Sequence, residues 1–142
     1  MTPLPERFAA AAERLVGTPF RLHGRDPAHG LDCVGVVLCA LRRCGVDGGG
    51  FTPRYGLRNS SIAALLPMAA ALGLREVEGG RQRGDVLLVR AGPAQQHLLV
   101  ITEGVSTGGD RFVHAHAGLR RVVLQHGADA WPPIRHWRLT LR

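Results

Sequence analysis

Two periodicities divide this chain, and their order restricts its fold more than any other feature. Up to residue 44 the apolar positions recur at intervals of three and four, whereas from residue 82 onward they fall in short runs and alternations. In PERFAAAAERLV, residues 5–16, Phe8, Ala11, Ala12, Leu15 and Val16 share a helical stripe; Pro5 suits a first turn and Gly17 ends the helix. CVGVVLCALRRC carries a stronger stripe through Cys33, Val36, Val37, Ala40, Leu41 and Cys44, with Arg42 and Arg43 at the carbonyl end before Gly45. Past a Gly-Asp turn, the runs 86–89 and 98–101, then RFVHAHAG and RVVLQ, read as four strands. WPPIRHWRLTLR supplies a fifth, with Ile134, Trp137, Leu139 and Leu141 available for packing. Helices first and an antiparallel meander second predict an α+β domain, its N-terminal helices packed on one face of a sheet of about five strands.

At 142 residues the chain is read as one domain, 1–142. GTPFRLHGRDPAHGLD, dense in Gly, Pro and Asp, reads as an ordered loop leading into the second helix. Residues 45–80 read as an insertion: a Gly-rich loop over 45–60, then the helical SIAALLPMAAALGL with Ser60 or Ser61 as cap and Pro67 as a break. The formal charge of +7 comes from 18 arginines and no lysine against 11 acids, a balance that suits polyanions: nucleic acid, anionic wall polymers and a membrane surface all fit it. With 5% aromatics there is no stacking platform for bases, so nucleic acid is not an expected partner. No stretch is long and apolar enough to span a bilayer, and Glu6 and Glu13 interrupt the N-terminal apolar pattern, so neither a signal peptide nor an anchor is expected. Three cysteines, an odd number, argue against a disulfide framework and leave at least one free thiol.

Chemistry concentrates at one of those thiols. A cysteine attacks as thiolate, and a helix N-terminus and a nearby imidazole both favour ionisation; Cys33 opens the best helix and can use both. Cys39 and Cys44 lie deeper in that helix and read as small buried hydrophobes. Among seven histidines, His97 begins the run HLLVIT, and alternation places His114 on the same face as His116, away from Val113 and Ala115. Cys33, His97 and His114 then form a nucleophile, base and orienter, with His116 as the rival orienter. His23, His29, His126 and His136 read as solvated or packing residues. Zinc is not expected, because no C-x-x-C pair exists and HAH lacks the spacing of a helical metalloprotease pair.

At these residues the chain resembles the NlpC family of papain-like cell-wall endopeptidases, most closely its phage-type branch. GTPFRLHGRDPAHGLDCVGVV is similar to the family's loop and nucleophile motif, RGDVLLV to the strand before the base, HLLVIT to the base strand and FVHA to the strand of the third polar residue. The resemblance implies a papain-like cysteine peptidase that needs no cofactor. In it Cys33 is nucleophile, His97 general base and His114 orienter, Asp32 contacts the substrate's amino group, and Phe20 stands at a substrate-facing tyrosine position. It further implies hydrolysis of peptidoglycan stem peptides at the bond between D-glutamate and a diamino acid. Phage-tail or particle components are the implied partners: synthesis would be cytoplasmic, with access to the wall by lysis or delivery. Two other uses of the scaffold stay open: an amidase effector or acyltransferase with the same triad, and a catalytically inert basic binding module of a phage-tail-like particle.

Overall fold

A computed structural model describes residues 2–46, 62–93, 95–104, 110–127 and 131–140. Helix α1 (Leu4–Glu13) has Pro5 in its first turn and buries Leu4, Phe8, Ala9, Ala11 and Ala12. It stops at Glu13 rather than running to Gly17; turns continue the chain, burying Leu15 but leaving Val16 exposed. Helix α2 (Cys33–Arg43) is buried from Val34 to Leu41, because it sits between α1 and the sheet. Its end forms a Schellman turn: the Gly45 amide donates to the Arg42 carbonyl, that of Val46 to the Leu41 carbonyl, and Gly45 takes a φ of +88°. Val46 is buried behind that turn.

The main sheet is antiparallel and has six strands rather than about five: β3 (Leu74–Glu76), β4 (Val86–Gly92), β5 (Gln95–Glu103), β6 (Arg111–His116), β7 (Arg121–His126) and β8 (Pro133–Leu139). Their order is β3-β8-β4-β5-β6-β7, so the last strand inserts between β3 and β4 and only β4 to β7 form a meander. The unexpected strand is β3. The helical expectation over 61–74 reduces to α3 (Ile62–Leu65) and a 3-10 turn, Leu66–Met68, around Pro67. Gly73, at φ +86°, then turns the chain so that Leu74 pairs with Leu139. The loop before α2 also holds a small ribbon, β1 (Arg25–Asp26) paired with β2 (Gly30–Leu31). Ser60, Ser61, Leu141 and most of the 45–60 loop lie outside the described residues.

Apolar residues cover both sides of the central strands. Val86, Leu88, Leu98, Val100, Val113, Ala115, Val122, Trp137 and Leu139 join the two long helices in the larger cluster. Leu87, Val89, Leu99, Ile101 and Phe112 form a second cluster on the opposite face, with Trp131 against it. That is why β4 and β5 read as continuous apolar runs. Ile134, expected in the packing, is instead 37% exposed. A buried carboxylate, Asp85, fastens β4 to β8: His136 Nε2 lies 2.6 Å away, Arg138 donates at 2.9 and 3.0 Å, and the Gln82 amide donates at 2.9 Å.

Candidate active site

The turn that presents Cys33 is held by the residue before it. Asp32 is the N-cap of α2, with Oδ1 accepting from the Gly35 amide at 2.8 Å. The same oxygen accepts from Arg25 Nη1 at 2.6 Å, and Oδ2 accepts from the His23 amide at 2.9 Å. His23 adopts a left-handed backbone, φ 61°, to make that bond. Gly35 is required sterically, since a Cβ there would run into the carbonyl of Gly24. Phe20 is half-buried against the helix-side core, and its amide donates to the Arg120 carbonyl at 2.9 Å, tying the loop to the β6–β7 hairpin.

The sulfur meets the sheet where two strands part. Strands β5 and β6 pair at Val100 with Val113, Ile101 with Phe112 and Glu103 with Arg111; beyond Val100, β5 stays with β4, and beyond Val113, β6 stays with β7. The opened end carries His97 and His114. The Leu98 backbone hydrogen-bonds the Cys33 thiol, so the sulfur sits at the main chain of β5, one residue from His97. His97 Nε2 is 2.7 Å from His114 Nδ1, and His114 Nε2 is 2.8 Å from Gln125 Oε1. His116, the rival orienter, lies 5.5 Å from His114 between ring centres and uses Nδ1 to accept from the Leu119 amide. Trp131 walls the pair edge-to-face, its ring centre 6.1 Å from His97 and 5.8 Å from His114.

Burial dominates the electrostatics. Desolvation pushes the Cys33 thiol up from 9.0 to about 11; the Leu98 backbone bond opposes this, Asp32 adds to it, and the Val34 backbone and Arg25 oppose it. Desolvation also takes His97 down from 6.5 to about 4, helped by His114 and His116. His114 is lowered by burial, against the opposing bond from Gln125. The resting site therefore holds a neutral thiol and neutral imidazoles. The thiolate expected from the helix N-terminus is not the resting form, because loss of water outweighs the amides of the first turn. Such a group can still react if the base removes its proton as the sulfur attacks.

The other cysteines and histidines sort cleanly. Cys39 is buried in the core as expected, whereas Cys44, expected to be buried too, is half-buried and donates from Sγ to the Leu41 carbonyl at 3.3 Å. His23, His29 and His126 are exposed, whereas His136 is bound to Asp85. Gln125 and Trp131 are the site residues that sequence reasoning missed. Alternation in RVVLQH was the available signal for Gln125, which sits opposite Phe112 in the β6–β7 ladder. Among the described residues, no group of three His, Cys, Asp or Glu side chains is placed to hold a metal ion, and no helix is long and apolar enough to cross a membrane.

No family model and no curated protein matches the sequence. Solved structures do match the fold. NlpC2 from Trichomonas vaginalis is 17% identical with a TM-score of 0.67, over 100% of this chain and 48% of that one. NlpC1 from the same organism is 20% identical with a TM-score of 0.65, over 95% of this chain and 43% of that one. The NlpC/p60 domain of the peptidoglycan hydrolase SagA is 22% identical with a TM-score of 0.58, over 96% of this chain and 98% of that domain. The chain thus spans less than half the length of both Trichomonas proteins and nearly all of the SagA domain. At these identities the likeness establishes the fold: this is an α+β domain of the NlpC/P60 architecture.

Proposed function

We propose that this chain is a cysteine peptidase of the NlpC family, of its phage-type branch, that hydrolyses amide bonds in peptidoglycan stem peptides. One observation carries the reading: the Cys33 thiol is hydrogen-bonded to the backbone beside His97, whose far nitrogen is engaged by His114. In the proposed reaction Cys33 attacks the carbonyl carbon while its proton passes to His97. The tetrahedral oxyanion is stabilised by the Cys33 amide and a loop donor. His97 then protonates the leaving amine, and water, deprotonated by the same imidazole, releases the acyl group from sulfur. His114 orients His97. Asp32 has three of its roughly four acceptor positions occupied from within the chain, leaving one for a substrate ammonium group. Phe20 offers an apolar edge without a hydroxyl. The bond between D-glutamate and a diamino acid is the proposed target, reached after lysis or by a delivery particle.

Purified muropeptides test this. Cys33→Ala should abolish the D-glutamyl cleavage product seen by mass spectrometry, and Cys39→Ala should retain it; equal turnover by both variants sinks the assignment. A second reading, a basic binding module without turnover, draws support from the upward push on the Cys33 thiol. Intact muropeptides after prolonged incubation with the unaltered protein would favour it. Transfer of the acyl group to an added amine, in place of water, would favour the transferase alternative.

A further inference from the structure

We propose that Gln125 is a positioning residue that sets the polarity of the imidazole pair, leaving Nδ1 of His97 as the nitrogen that accepts the thiol proton. This rests on the reading of Cys33 and His97 above and adds a residue on the edge strand β7. A carboxamide oxygen can only accept a hydrogen bond. Gln125 Oε1 faces His114 Nε2 at 2.8 Å, so that nitrogen carries the ring proton. A neutral imidazole has one such proton, and burial keeps His114 in its neutral form. Its Nδ1 is therefore a lone pair, and His97 Nε2, 2.7 Å away, must donate to it. His97 is likewise held neutral by burial, which leaves its Nδ1 unprotonated.

The position of the sulfur agrees with this polarity. Nδ1 is the ring nitrogen nearer the main chain, and the thiol sits at the main chain of the next residue, Leu98. When the thiol proton moves to Nδ1, His97 becomes imidazolium and keeps its Nε2–H bond to His114; no other proton has to move. Turning the Gln125 amide to present its NH2 group would shift each ring proton to Nδ1 and remove the acceptor. Phe112, paired with Gln125 across the ladder, has its ring 5.0 Å from that of His114 and 5.8 Å from that of Trp131, which restricts the space around the pair.

The test uses the full chain labelled with 15N in its histidines, read by NMR at neutral pH, alongside the rate at which iodoacetamide alkylates Cys33. Expected for the unaltered protein is a proton on Nε2 of both His97 and His114. Gln125→Lys, which can only donate, should move both protons to Nδ1 and slow Cys33 alkylation about a hundredfold. Gln125→Met, which can do neither, should give mixed tautomers and an intermediate rate; it serves if the lysine variant fails to fold. Finding His114 protonated on Nδ1 in the unaltered protein, or lysine and methionine variants that keep both Nε2 protons and the original rate, overturns the proposal. Failure of the peptidase reading looks different: muropeptides stay intact with the unaltered protein while the ring protons still follow residue 125.

Discussion

At the scale of single residues, the site is defined by groups held away from their usual ionisation. His97 titrates near 6.5 in an unfolded chain and at about 4 when folded, so between those values the unfolded state binds more protons. The contribution is fully present above 6.5 and is lost as pH falls toward 4. Stability against unfolding should therefore fall as pH drops across that window, by on the order of 3 kcal/mol from this residue, and His97→Gln should reduce the loss. Cys33 has the opposite sign: its raised value makes stability fall as pH climbs from 9.0 to about 11. Alkylation should report the coupling between them. In His97→Gln, Cys33 should react only as pH approaches its own high value, whereas the unaltered protein should react near neutrality; indistinguishable profiles would remove His97 as base. The face shared by His114 and His116 was legible in the sequence because alternation carries it, whereas the face of His97 was not, because HLLVIT is a continuous apolar run. The neutral resting state was not, since it depends on how far the fold draws water away from a half-buried sulfur.

Among the elements, α2 and the loop before it form one unit. The Asp32 cap holds Arg25, the His23 amide and the Gly35 amide at one carboxylate, and the Gly24 carbonyl rests against Gly35. Asp32→Ala removes the cap and leaves the Arg25 guanidinium, whose side chain is 10% exposed, without its carboxylate. A loss of roughly 3 kcal/mol in denaturant unfolding is expected. Gly35→Ala should cost about 1–3 kcal/mol by forcing the loop off the helix, and it should lower Cys33 reactivity even where the protein remains folded. Wild-type stability in both variants would contradict this account. The helix itself was readable from its stripe and its terminal Gly45. Its cap network was not, because Arg25 and His23 are brought to Asp32 by a two-stranded ribbon hidden in a Gly- and Pro-rich segment. Strand β3 escaped notice for a related reason: Leu74, Arg75 and Glu76 are too few to set a period, and the pairing with β8 places them.

For the molecule as a whole, the order of helices before strands foretold an α+β domain, and the solved NlpC/P60 structures agree with that outline. What it did not foretell was the place of β8, expected as a fifth strand but inserted between β3 and β4, a long-range pairing that local pattern does not encode. Asp85 secures that return. Asp85→Ala would leave His136 and Arg138 without their shared carboxylate and should destabilise the protein by about 3–5 kcal/mol, while muropeptide turnover per folded molecule stays unchanged; an undiminished melting temperature would show that the anchor is dispensable. The parting of β5 from β6 has a wider consequence. It is a slit in a wall, with the sulfur on the helix side and the imidazole pair on the other, across which the proposed proton transfer would run. With the two long helices packed on one face of the sheet and the ring of Trp131 beside the histidines on the other, the proposed reaction would take its handedness from the architecture that surrounds it.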